Sequence, residues 1–235
     1  MAGNAVHPLV RLTWQLERLR GRVHLPLPRW LCGLLFHSRL LLEGFCSGVA
    51  QVLIYEPGLR YRCRRVGAGL RLDRPGPRVM GNGVIDIGDD VTIGGGSFLL
   101  VGLGLPEPPR LCIGDHVRLG LRNIVSAVRG VSIGNHVHTG PGVCIYDNDM
   151  HPLDPELRRA RLGDPAAVKG APIVIEDHVR IGANALILKG VTLGRSAVVL
   201  AGAVVTEDVP PGGIAAGNPA QLVGRRPDAD TAAGG

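Results

Sequence analysis

Aromatic residues are scarce: three Phe, two Trp and three Tyr make up 3% of 235 residues. A core of bulky packed layers is not available to such a chain, whereas its 35 glycines suit thin stacked coils. Lysine is nearly absent as well, with only Lys169 and Lys189, so the net charge of +6 and the pI near 9.5 rest on arginine. That charge admits an anionic partner (nucleic acid, an acidic membrane surface or a phosphorylated cofactor) without choosing among them. The five cysteines, Cys32, Cys46, Cys63, Cys112 and Cys144, are odd in number and show no CxxC or other metal spacing. They read as free buried thiols in a reducing cytoplasm. Long apolar runs are missing too. Leu31 to Leu42 is interrupted by His37 and Arg39 and followed by Glu43, and the N-terminus lacks a secretory layout, so a cytoplasmic chain without a membrane span is expected.

What is present is a period of six. Ile175, Ile181, Ile187, Leu193, Val199 and Val205 recur every sixth residue, each followed four positions later by Val179, Ala185, Val191, Ala197, Ala203 or Val209. Six residues at 3.6 per turn rotate a side chain far around a helix axis, so no helical face stays buried. An even period suits strands. Triplets such as Val179-Arg180-Ile181 and Ala185-Leu186-Ile187 place two side chains inward and one outward. Between them lie Gly182-Ala183-Asn184, Leu188-Lys189-Gly190, Gly194-Arg195-Ser196 and Leu200-Ala201-Gly202, which tolerate corner conformations. A chain that turns a regular corner every six residues closes as a three-sided prism, an all-β solenoid.

In chain order, residues 1–78 read as an N-terminal helical and basic segment. Leu12, Leu16 and Leu19 form one apolar stripe and Leu31, Leu34, Leu35, Leu41 and Leu42 a second, with Pro26 and Pro28 between. This segment either caps the open end of the solenoid, the reading favoured here, or meets a membrane surface or lipid-linked acceptor. Seven arginines crowd residues 60–78, facing phosphate or solvent. The solenoid is expected over 79–226, with repeats from Ile87, a Pro-rich slip at 102–110, and a long loop inserted at 147–172. Residues 227–235 are expected to be disordered. Asn123, at a core position, is expected to bond along the stack.

The loop carries Asp147-Asn148-Asp149-Met150-His151-Pro152-Leu153-Asp154-Pro155. A histidine with Asp149 and Asp154 close by has the parts of a general base oriented by a carboxylate; it is equally a plain surface histidine. Together with Ala201-Gly202-Ala203-Val204-Val205-Thr206 and Gly217-Asn218-Pro219-Ala220, this stretch resembles the maltose and galactoside O-acetyltransferases and the related capsule and lipopolysaccharide enzymes, over about residues 113–226. The resemblance implies a left-handed parallel β-helix and a homotrimer with each site between two subunits. It implies acetyl-coenzyme A as co-substrate, no metal, and direct acetyl transfer to a sugar or glycoconjugate hydroxyl, with His151 as general base.

The resemblance places the coenzyme A contacts at Gly182, Ala183, Ala201, Gly202 and Thr206. The lysine usual after that threonine is Glu207 here, which leaves Arg225 and Arg226 as candidates for the 3′-phosphate. An acceptor-binding asparagine falls on Gly120 and a tryptophan on Arg180, so the acceptor pocket differs; Asn148, Asp154 and Arg180 are the acceptor-side candidates. A glutamate usual before re-entry is replaced near Val168, leaving Asp149 to orient His151. His116, His136 and His178 share one corner of their hexads and read as exterior residues. The spacing of the zinc-binding relatives is missing, and no nucleic-acid partner is expected. Two other functions stay open: N-acylation of a nucleotide-linked amino sugar, and a non-catalytic assembly module.

Overall fold

The computed structural model describes residues 27–102, 108–152, 154–159 and 168–226. The first apolar stripe, the tail and the middle of the inserted loop lie outside those residues. The chain divides into two units, 1–46 and 47–235.

Helix α1 spans Arg29–Ala50 and has no buried residue; Trp30, Leu41 and Phe45 are each more than 70% exposed. Among the described residues, no helix is long and apolar enough to cross a membrane. Within the second unit, the first coil is covered by a short element that follows this helix. After a π-helical turn at Gln51–Tyr55, α2 (Glu56–Arg62) buries Leu59 to 4% exposure, and Tyr55, Leu59 and Cys63 join the core of the first coil.

The solenoid is built of three sheets visited in rotation from β1 to β18, after which the chain closes on the second sheet. The first holds β1 (Arg65–Val66), β4 (Val84–Ile87), β7 (Arg110–Ile113), β10 (Val131–Ile133), β13 (Ile173–Ile175) and β16 (Thr192–Leu193). The second holds β2 (Arg71–Leu72), β5 (Thr92–Ile93), β8 (Arg118–Leu119), β11 (His138–Thr139), β14 (Arg180–Ile181), β17 (Val198–Val199) and the closing hairpin β19 (Gly213–Gly217) and β20 (Ala220–Arg225). The third holds β3 (Arg78–Met80), β6 (Phe98–Val101), β9 (Ile124–Ala127), β12 (Cys144–Tyr146), β15 (Leu186–Leu188) and β18 (Val204–Val205). Every pair but the closing hairpin is parallel, and the coils wind left-handed. Strands β1 and β2 precede residue 79 and β3 spans it, so one coil of parallel strands lies ahead of the hexads that begin at Ile87. Val66 and Leu72 keep the period of six, but Val79 follows after seven residues and Ile87 after eight, across Pro- and Gly-containing corners, so the hexads do not run on through this coil.

The doublets do the packing. Val179, Ile181, Ala185, Ile187, Val191, Leu193, Ala197, Val199, Ala203 and Val205 are all at 0–1% exposure, each large member contributing ~1.5–3 kcal/mol of apolar burial. Polar side chains stitch the corners. Asp89, Asp115, Asn135 and Asp177 each accept the backbone N–H of the coil below, at 2.7–2.8 Å. The next residue in this column adopts positive φ at Asp90, His116, His136, His178 and Ser196. The three exposed imidazoles stack at 4.8 and 4.9 Å, as exterior corner residues of successive coils must. Asn123 is 1% exposed, donates to the Gly140 carbonyl at 2.9 Å and accepts from the Thr139 hydroxyl, bonding along the stack.

The cysteines depart from the buried reading. Cys63 is buried, and desolvation pushes its thiol up to about 11, but Cys32 and Cys46 are exposed.

Candidate functional site

The chain leaves the third sheet at Tyr146 and re-enters the first at Ile173, so the inserted loop stands on the corner between those sheets. Asp147 anchors it. Its carboxylate, at 0% exposure, accepts the backbone N–H groups of Val128, Arg129 and Gly130 at 2.6–2.8 Å and the Asn148 side-chain amide at 2.8 Å. Three amides converging on one carboxylate compensate a buried charge that would otherwise be costly.

Asn148 extends the anchor. It is 4% exposed, donates to the Ser126 hydroxyl at 2.9 Å and accepts the Met150 N–H at 2.8 Å, which sets Met150 in positive φ. The returning strand closes the neck: Asp149 N–H donates to the Lys169 carbonyl at 3.0 Å, and Arg129 reaches the Val168 carbonyl at 3.1 Å. His151 follows as an exposed side chain whose own N–H donates to the Asp149 carbonyl at 2.6 Å.

The geometry gives three of the expected site residues definite partners. The Asp149 carboxylate, expected to orient His151, pairs with the Lys189 ammonium of the next coil. Asn148, taken as an acceptor contact, spends its amide inside the anchor. Asp154 accepts the Glu156 N–H at 2.8 Å and caps the short helix α3 (Pro155–Arg159), a local turn role. Lys189 and Ser126 were missed by sequence reasoning. Lys189 had a signal, being one of two lysines and placed on the corner that carries the loop; Ser126 had none, because its row becomes buried only once the loop lies over it.

The expected coenzyme A contacts split into groups. Gly182, Ala183, Ala201 and Gly202 stack on adjacent coils at the corner between the second and third sheets. The backbones there approach so closely that a Cβ on Gly182 would lie 2.4 Å from the Ala201 nitrogen, while nothing stands within 4 Å of one on Gly202. Thr206 sits on the loop's own corner. Arg225 and Arg226 end the closing hairpin, with Arg225 Nη2 3.5 Å from the Pro211 carbonyl. A cleft of about 170 Å³ against the same hairpin is lined by Glu207, Asp208, Gln221 and Leu222 among others, and by neither arginine. Arg180 projects outward from the second sheet, on neither corner. Within one chain, therefore, the histidine and the small-residue corner stand on different edges of the prism. Among the described residues no three His, Cys, Asp or Glu side chains are grouped to hold a metal.

A parallel β-helix built of hexads and bearing a polar, anchored loop on one corner defines a class, and comparison with known proteins narrows it. The hexapeptide repeat of succinyl-transferase matches residues 110–147 and 172–207. A Vibrio cholerae hexapeptide-repeat-containing acetyltransferase, solved with acetyl coenzyme A, is 30% identical, covering 71% of this chain and 73% of that one, with a TM-score of 0.46. The chain belongs to the hexapeptide-repeat acyltransferase family. A Staphylococcus aureus 2,3,4,5-tetrahydropyridine-2,6-dicarboxylate N-acetyltransferase is 41% identical over 90 residues, 38% of this chain and 31% of that protein. The chain thus spans less than half the length of the curated relatives it matches. AntD of Bacillus cereus, an N-acyltransferase solved with dTDP and 3-hydroxybutyryl-CoA, shares the fold at a TM-score of 0.61 and 19% identity, covering 75% of this chain and 90% of that one.

Proposed function

We propose that the chain is an acyl-coenzyme A dependent acyltransferase, transferring an acetyl group to a hydroxyl of a sugar or glycoconjugate. The observation that carries the reading is the loop neck. A buried carboxylate, a buried amide and an ion pair to the next coil fix the backbone on which an exposed imidazole stands, more anchoring than a plain surface histidine needs. His151 removes the proton from the acceptor as its oxygen attacks the thioester carbonyl, and a backbone N–H stabilises the developing oxyanion. The corner at Gly182, Ala183, Ala201 and Gly202 lets a pantetheine arm lie against the backbone. Because that corner and His151 occupy different edges of one prism, the site is completed between copies. The outward row of the third sheet, Phe98, Ile124, Cys144, Leu186 and Val204, gives an apolar face for a homotrimer to bury.

Transfer to an amino group fits no worse, since the same base serves either nucleophile and the compared proteins include N-acetyl and N-acyl transferases. Thiol release from acetyl-coenzyme A, with mass spectrometry over a panel of sugars and nucleotide-linked amino sugars, separates the two. His151→Ala is expected to lower turnover ~10²- to 10⁴-fold with an unchanged melting temperature. Near wild-type turnover would remove His151 from the mechanism.

A further inference from the structure

The three outward faces of the solenoid have three characters. On the first face cations meet a carboxylate: Arg64, just before β1, forks onto Asp86 at 2.6 and 2.8 Å, and Arg110 of β7 approaches the same carboxylate at 4.0 Å. On the third the outward row is apolar. On the second, register aligns Arg71, Thr92, Arg118, His138 and Arg180 on consecutive strands, all projecting from the same side of the sheet. No carboxylate stands on that row, and among the described residues Arg71, Arg118 and Arg180 make no ion pair, whereas Arg64 and Arg110 on the first face both reach Asp86. Neighbouring strands lie ~4.8 Å apart, so Arg118 and Arg180 stand roughly 10 Å from one another with His138 between them.

Two clefts flank the row and share Arg71, Thr92 and Arg118. One, of about 290 Å³, runs toward Asp90 and His116. The other, of about 430 Å³, runs toward Leu119, Gly120, Leu121 and Pro141. Gly120 on its wall lets the neighbouring coil stack closely: a Cβ there would lie 2.4 Å from the Gly140 carbonyl oxygen. The carboxylates bordering the clefts are Asp73 and Asp90, and Asp90 faces the His116 ring at 3.6 Å.

We infer that this face binds a phosphate-bearing ligand, its phosphates on the row between Arg71 and Arg180 and its organic body in the cleft beside Gly120. Like cations in a line repel one another, and an anion laid along them relieves that repulsion. The planar guanidinium fork suits phosphate oxygens in pairs, and a guanidinium at either side of His138 lets one phosphate group be held from two directions. A cleft of several hundred Å³ matches the body of a small organic ligand. The phosphates belong either to the acyl donor or to a phosphorylated acceptor; the chemistry recognised is the same.

Calorimetric titration of the full chain with inorganic diphosphate tests binding without turnover, so its outcome is independent of the acyl-transfer reading. Wild type is expected to bind with an affinity that falls steeply with salt. Arg118→Gln combined with Arg180→Gln is expected to weaken it by about tenfold or more and to flatten the salt dependence, while Arg64→Gln on the first face leaves it unchanged. Parallel titrations distinguish the sources: loss of coenzyme A affinity with none for pantetheine points to the donor, and loss of nucleoside diphosphate affinity with coenzyme A unaltered points to the acceptor. Failure of wild type to bind diphosphate, or equal binding by the double variant, overturns the inference.

Discussion

Removing the Asp147 carboxylate isolates the feature on which the loop depends. In Asp147→Ala the N–H groups of Val128, Arg129 and Gly130 lose a common acceptor that they reach at 2.6–2.8 Å. Val128 is 1% exposed and loses its bond without replacement by water; the bonds of Arg129 and Gly130 are partly buried, so water recovers about half of each. The loss amounts to about two hydrogen bonds to a charged acceptor, or ~3–6 kcal/mol. The energy falls on the neck of the loop rather than on the whole solenoid, since each coil is stabilised by its neighbours. Hydrogen exchange read by mass spectrometry should therefore show amides 128–130 exchanging ~10²- to 10⁴-fold faster, with the 173–205 coils little changed. Turnover should fall with them, because His151 is four residues from the anchor. Asp147→Asn, which keeps one acceptor oxygen but turns an amide toward the same donors, should be intermediate. Unchanged exchange at 128–130 in Asp147→Ala would refute the account.

Asp149→Ala and Lys189→Ala are expected to lower turnover by similar factors and the double variant by no more than either, with a coupling of ~1 kcal/mol or less for a partly exposed pair; a rate loss confined to Asp149→Ala would instead make that carboxylate the orienter of His151. Leu186→Glu, on the apolar row of the third sheet, should convert a species of about three times 24.8 kDa into monomer by light scattering. A monomeric wild type with full activity would defeat the trimer. Replacing Arg225 and Arg226 by alanine should raise the Michaelis constant for acetyl-coenzyme A about tenfold. Equal preference for coenzyme A over its 3′-dephospho form in variant and wild type would release them from that role.

The repeating core was legible in the residues themselves because a hexad doublet is a one-dimensional signal: each buried side chain is fixed by its neighbours four and six residues along the chain. Asn123 and the stacked corner histidines were legible for the same reason. Pairings across coils were not. The acceptance of three backbone amides by Asp147, the ion pair of Asp149 with Lys189 and the capping of the first coil by Leu59 join positions whose separations depend on the length of an inserted loop or on irregular corners. Arg71, Arg118 and Arg180 lie 47 and 62 residues apart in sequence, and nothing local relates them. Only the register of parallel strands brings them onto one face, because stacking converts coil number into a ~4.8 Å step and discards the length of chain between.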